Sequence, residues 1–219
     1  MKESIIVEQA SNIGCKNKPF IKMNFSFVFI GTTHGFIDDF IKQKEIINLI
    51  NPEFVLCENL ENLFLDTKKK FEDILKNKTV SNMTSFDEIK NLIELCYNKN
   101  IKLIGIDLAN FGFDEILQKK INKQEKLSKD EEKKIEDILK LRDKIHLDKT
   151  LEYKNKTNRP LVIIIGSWHL REHSFLRDSL DNYKIFFPCD NKGNLLIEPG
   201  KDKKIEYCEI IKNDKKIKT

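Results

Sequence analysis

The sequence predicts an α/β domain: a mostly parallel sheet covered by helices, with short antiparallel strands at the C-terminal end. Three observations predict it. Four short, nearly continuous apolar runs, FSFVFI, FVLC, LIGI and LVIII, read as strands buried on both faces. Longer amphipathic stretches separate them, and strands alternating with helices imply parallel crossovers. The tail from Tyr183 to Ile211 is cut by Pro188, Gly193 and Pro199-Gly200 into short pieces that read as β-hairpins. A chain of 219 residues suits one domain over 1–219 and can bury roughly 70% of its unfolded surface without staples.

Ser4–Val7 is a candidate first strand, and Phe25–Ile30 a strong one. Phe36–Ile50 has helical periodicity, with Phe36, Phe40, Ile47 and Ile50 on one face. Asp38 and Asp39 suit the positive end of its dipole, and Asn51-Pro52 stops it. Phe54–Cys57 is the second strand, followed by a helix over about Leu60–Leu75. A helix over Phe86–Tyr97 has Ser85 as N-cap and Glu88 to complete a capping box. Leu103–Ile106 is the next strand. A charged helical excursion covers about 115–158, with Ser128 capping its long helix. Leu161–Ile165 is the clearest buried strand, and Trp168–Leu180 reads as a helix.

Composition excludes several functions. The net charge is only +4, Lys is interspersed with acid, and there are four Arg; nucleic-acid binders more often carry a basic stripe with Arg or aromatic anchors. Cys15, Cys57, Cys96, Cys189 and Cys208 are odd in number and contain no CxxC, so they read as free thiols in a reducing compartment. No window approaches the ~20 apolar residues of a membrane span, and MKESIIVEQA lacks a signal-peptide core, so a cytoplasmic location is expected. GxSxG, Walker A, GxGxxG and HExxH patterns are absent.

One pattern occurs twice. FIGTTH and IIGSWH each run from a strand through Gly and two residues to a His, giving His34 and His169. Two other strands end in a carboxylate, Glu58 and Asp107. Sites of open α/β sheets lie beyond the carboxyl ends of the strands, so all four residues are expected to converge there. Gly31 and Gly166 would allow a sharp turn. A His near a helix N-terminus tends to stay neutral, the form that binds metal. Two His and one carboxylate suffice for a catalytic divalent ion such as Zn, Mn or Co with a position left for water. Each feature also has a plain structural reading: a lone GxxH His can cap a turn, and Asp107 can be a helix N-cap.

Arg142 lies on the apolar face of its helix with Ile138 and Ile145, so it is expected to have a partner. Either it reaches the site to hold a carboxylate or oxyanion, or it forms a structural salt bridge. His146, one turn beyond Arg142, could lie near the site, but it and His173 read more readily as surface residues, and Trp168 as core rather than pocket wall. Cys57 points to the opposite face from Glu58, which makes it an unattractive nucleophile.

The run IGTTHGFIDDFIKQKEIINLINPEFVLCENLE resembles the N-terminal motif of the TraB/PrgY family, in which a strand leads into GT-x-H, a helix, a Pro and a strand ending in Glu. LRDKIH resembles its helical Arg-Asp motif, and RPLVIIIGSWHL its closing strand and G-x-x-H-L. The order and approximate spacing agree over about residues 25–180. TraB is similar in its motifs to Tiki proteases, erythromycin esterase-like proteins and ChaN-like haem-binding proteins. The resemblance implies that His34, Glu58 and His169 match the metal or catalytic positions and Arg142 the helix Arg; in the hydrolase expected, His34 and His169 would bind the ion, Glu58 would be third ligand or general base, and Arg142 would steady the oxyanion. Asp107, which matches less closely, would orient a His or add a ligand. Trp168 replaces a small residue usual in the family, the membrane segments of many members are missing, and Gly35 leans towards the esterase-like branch. The function expected is metal-dependent hydrolysis of an amide or ester bond in a peptide or small molecule. A non-catalytic ligand-, peptide- or haem-binding protein is the alternative, with His34, His169 or a Tyr as axial ligand to haem. A scaffold whose histidines only cap helices is a third.

Overall fold

The computed structural model describes residues 25–32, 38–171 and 173–187. The chain forms β1 (Phe27–Thr32), α1 (Asp38–Ile50), β2 (Phe54–Cys57), β3 (Phe64–Leu65), α2 (Lys68–Asn77), α3 (Phe86–Lys99), β4 (Lys102–Gly105), α4 (Glu115–Asn122), α5 (Lys129–Lys154), β5 (Leu161–Gly166), α6 (Phe175–Ser179) and β6 (Tyr183–Phe186). Short 3-10 turns at Glu58–Leu60, Ala109–Gly112 and Ser167–Leu170 follow β2, β4 and β5. The strands make one six-stranded sheet in the order β3-β4-β2-β5-β1-β6. Every pairing is parallel except β3 with β4.

The side-chain alternation of the strands feeds two cores. Val28, Ile30, Val55, Cys57, Leu103, Val162 and Ile164 face Ile46 and Ile47 of α1, Phe71 of α2 and the apolar side of α3. Phe27, Phe29, Phe54, Leu56, Ile163 and Ile165 face Tyr153 of α5 and Leu176 of α6. The chain moves one way across the sheet with helices on the first face, from β1 to β2 to β4. It returns through β5 to β6 with helices on the second. Reversing direction while keeping right-handed crossovers requires this change of face.

Four strands match their apolar runs within two residues, and the parallel, helix-covered sheet is as expected. Three elements differ. The helix expected over Leu60–Leu75 is a turn, β3 and then α2. Glu61 takes φ 53°, its buried carboxylate receives hydrogen bonds from Ser81 Oγ and the Asn110 N–H, and Thr67 caps α2 by accepting from Lys70 N–H. The helix expected over Trp168–Leu180 is split, because Arg171 is extended and His173 is left-handed, and Ser174 then caps the short α6. Tyr183–Phe186, expected in a hairpin, instead pairs parallel with β1, and the antiparallel pair lies at the other edge. The candidate strand Ser4–Val7 and the tail beyond residue 187 lie outside the described residues.

The long α5 begins as expected. Ser128 accepts from Glu131 N–H, and the Glu131 carboxylate accepts from Ser128 N–H, a complete capping box. Ser85 stands at the N-cap of α3, but its side chain makes no cap bond. Among the described residues, no helix is long and apolar enough to cross a membrane.

Candidate functional site

Glu58 follows β2, Asp107 follows β4, and His169 sits in the turn after β5, so three carboxyl strand ends deliver three polar side chains to one region. Helix α5 crosses them with a polar buried face of Arg142, Asp143, His146 and Thr150. All six of Glu58, Asp107, Arg142, Asp143, His146 and His169 are buried. His34 lies outside the described residues, two positions past the end of β1.

Arg142 binds both strand-end carboxylates. Its Nε donates to Asp107 Oδ1 and Oδ2 at 3.0 and 2.9 Å, and Nη2 donates to Asp107 Oδ2 at 2.6 Å and Glu58 Oε1 at 2.5 Å. The Phe111 ring covers the guanidinium, with Cζ 4.7 Å from the ring centre. Asp107 also accepts from Leu108 N–H at 2.7 Å, so its local turn bond and its site role coexist.

His169 stands between two carboxylates. Its Nδ1 lies 2.5 Å from Asp143 Oδ1, and its Nε2 lies 3.4 Å from Glu58 Oε1. Burial opposes a charged ring, but Asp143 and Glu58 outweigh it and raise the pKa to about 9. The expected neutral imidazole is therefore not what the turn after β5 favours: two carboxylates exceed the effect of a short turn. Burial likewise pushes the Glu58 carboxyl up, yet His169, His146 and Arg142 hold it well below the ordinary carboxylate range. Asp107 is held low against burial by His146 and Arg142.

His146, expected at the surface, is 0% exposed and packs edge-on against the His169 ring at 4.9 Å between centroids. Its Nε2 is 3.0 Å from Asp107 Oδ2. The contact lacks the alignment of a hydrogen bond, and neither ring nitrogen has a hydrogen-bond partner. It is a close polar contact without the geometry of a hydrogen bond. Sequence reasoning missed Asp143, and it placed His146 one turn beyond Arg142 but favoured the surface for it. The available signal was Asp-x-x-His, which places two ligand-type residues one turn apart on a helix.

The glycines of the two GxxH motifs serve close approach; neither has positive φ, so the sharp turn expected of them is not their role. A Cβ on Gly166 would come within 3.2 Å of Glu58 Oε2, which accepts the Gly166 N–H. A Cβ on Gly31 would come within 2.7 Å of Ser167 Oγ. Trp168, expected in the core, is 48% exposed, stacks on Arg171 and stands edge-on to His169 at 5.4 Å. The core beyond β5 is already filled by Leu170 and Leu176, so the indole turns out. His173 is exposed, as expected. Burial pushes the Cys57 thiol up to about 12, and it faces the core opposite Glu58, which disqualifies it as a nucleophile.

Two groups of three side chains bring ligand atoms within 4.8 Å of one another: Asp143, His146 and His169, and Glu58, Asp107 and His146. These buried triads can hold a metal ion. No family model matches the chain, so the TraB/PrgY resemblance rests on its short motifs. No curated protein matches it either. Among solved structures, one described as cofacial heme binding to ChaN of Campylobacter jejuni is similar over 76% of this chain and 83% of that chain, at 13% identity and a TM-score of 0.41.

Proposed function

We propose that the chain is a metal-dependent hydrolase of amide or ester bonds, with a peptide or small molecule as substrate and the buried cluster as its centre. Charge balance carries this reading. Glu58, Asp107 and Asp143 are three buried carboxylates beside one guanidinium, Arg142. Two negative charges remain, which a protonated His169 offsets in part and one divalent ion offsets in full. Uncompensated charge in a buried volume costs several kcal/mol per ion, so the cluster suits a divalent cation such as Zn, Mn or Co and disfavours an anionic ligand. The donor set fits: His146 offers two buried ring nitrogens without hydrogen-bond partners.

A bound divalent ion would polarise a carbonyl and lower the pKa of its water. The chain's own residues have separable tasks. Asp143 and Glu58 fix the His169 ring from either side. Arg142 is committed to Asp107 and Glu58, a geometry that favours holding those carboxylates in place over facing a substrate oxyanion. Glu58, held low by its partners, is a weak base, which favours an orienting role for it.

The test is metal content, by mass spectrometry, of untagged protein purified without chelator, followed by a screen of peptides and esters. About one ion per chain, with turnover lost together with the ion in His169→Ala, is the expected result. A chain that takes up no ion after addition of Zn²⁺, Mn²⁺ or Co²⁺ sinks the reading.

A further inference from the structure

We propose that the ion is held by Asp143, His146 and His169, and that His146, outside both GxxH motifs, is the ligand that commits the site to this triad. The inference rests on the metal reading above and decides between the two triads that share His146.

Arg142 argues against the other triad. Its Nη2 already occupies the space between Glu58 Oε1 and Asp107 Oδ2, at 2.5 and 2.6 Å. A cation bound to those same oxygens would sit within a few ångströms of a permanent positive charge. In the first triad no cation among the described residues stands between the ligand atoms; Asp143 Oδ1 and His169 Nδ1 are bonded to each other, and an ion there would replace the proton of that bond. Asp143 and His146 are three residues apart on α5 and present their side chains one turn apart on its buried face. His169 meets them from the turn after β5, its Nδ1 2.5 Å from Asp143 Oδ1 and its ring 4.9 Å from that of His146.

His146 supplies the second, independent observation. A fully buried imidazole with neither ring nitrogen in an aligned hydrogen bond is costly unless something binds it. Asp107 Oδ2 lies 3.0 Å from His146 Nε2 but is bonded to Arg142, and Asp143 is bonded to His169, so neither carboxylate gives His146 an aligned hydrogen bond. With the ion on the Asp143 side, His169 Nε2 faces Glu58, which becomes the outer carboxylate that orients the ring. Two imidazoles and one carboxylate leave a coordination position for water and suit Zn²⁺ or Co²⁺.

Two measurements on the full chain test this. In the first, Co²⁺ is titrated into wild type, His146→Asn and Glu58→Gln, read by visible absorption and by equilibrium dialysis. His146→Asn should lose saturable binding, whereas Glu58→Gln should keep one site and weaken it by roughly 10–100-fold. The reverse pattern, with Glu58→Gln losing the site and His146→Asn keeping it, overturns the proposal. In the second, the ring C–H resonances of the four histidines are followed in wild type during Zn²⁺ addition, which needs no variant to fold. Those of His146 and His169 should shift until one equivalent is bound, while the exposed His173 stays in place. A chain that binds Zn²⁺ with the His146 resonance unmoved overturns this inference alone. A chain that binds neither ion overturns the hydrolase reading and this inference together.

Discussion

At the residue scale, Arg142 joins the two strand-end carboxylates, and its removal is the clearest single test of the cluster. Arg142→Ala would leave Asp107 and Glu58 buried without their shared cation. Breaking a buried pair from one side costs about 3–5 kcal/mol, and urea unfolding should show a loss of that size. Arg142→Lys should recover only part of it, because an ammonium cannot reproduce the Nε and Nη2 fork on Asp107. The same residues set the pH profile of the metal-free chain. His169 has its folded pKa raised to about 9 from 6.5, so its contribution is fully present below about pH 6.5 and is lost as pH rises through about 9. Glu58 has its folded pKa lowered from 4.5, so its contribution is present above about pH 4.5 and is lost only in strong acid. Melting curves from pH 6 to 10 should show an alkaline decline that His169→Gln flattens; equal declines in both proteins would assign the effect to other groups. Glu58, Asp107 and His169 were legible in the sequence because each ends an apolar run. Asp143 was not, and His146 was only placed one turn from Arg142, because a helix with a polar buried face has the same spacing as one with a solvated face.

At the element scale, the two Ser residues at helix N-caps make a controlled pair. Ser128 completes a capping box at the start of α5, while Ser85 occupies the N-cap of α3 without a side-chain bond. Ser128→Ala should cost about 1 kcal/mol, and Ser85→Ala clearly less, in urea titrations under the same conditions. Equal losses would mean that position, rather than the side-chain bond, sets the effect. The pair also shows what local pattern conveys. Ser-x-x-Glu occurs at both starts, yet only the Ser128 side chain makes the cap bond. Turn geometry was similarly hidden after Glu58. The Leu60–Leu75 run has helix-compatible composition, but the Glu61 carboxylate, tied to Ser81 and Asn110, turns the chain into β3 first. Those partners lie 20 and 49 residues away, beyond any local window. At Gly105 the same turn explains a residue that propensity cannot: a Cβ there would come within 2.1 Å of the Glu61 carbonyl oxygen.

At the scale of the whole molecule, the order of the sheet explains why one cluster gathers residues from so much of the chain. Strands β2, β4 and β5 lie side by side and parallel, so residues 58, 107 and 169 emerge at one edge, and α5 returns across them with Arg142, Asp143 and His146. An ion bound there would link separate parts of the fold, and its binding would therefore act on global unfolding. Ligand binding only to the folded chain adds about 2.7 kcal/mol at a free concentration a hundredfold above Kd. For a domain of this size each kcal/mol moves Tm by about 2–4 °C, so saturating Zn²⁺ should raise it by roughly 5–11 °C, and chelator should reverse the change. His146→Asn should show almost no response if the ion takes the Asp143 triad, whereas Glu58→Gln should still respond at higher Zn²⁺. A full shift retained in His146→Asn would place the ion elsewhere, and no shift in wild type at any Zn²⁺ concentration would mean that the cluster does not take up Zn²⁺.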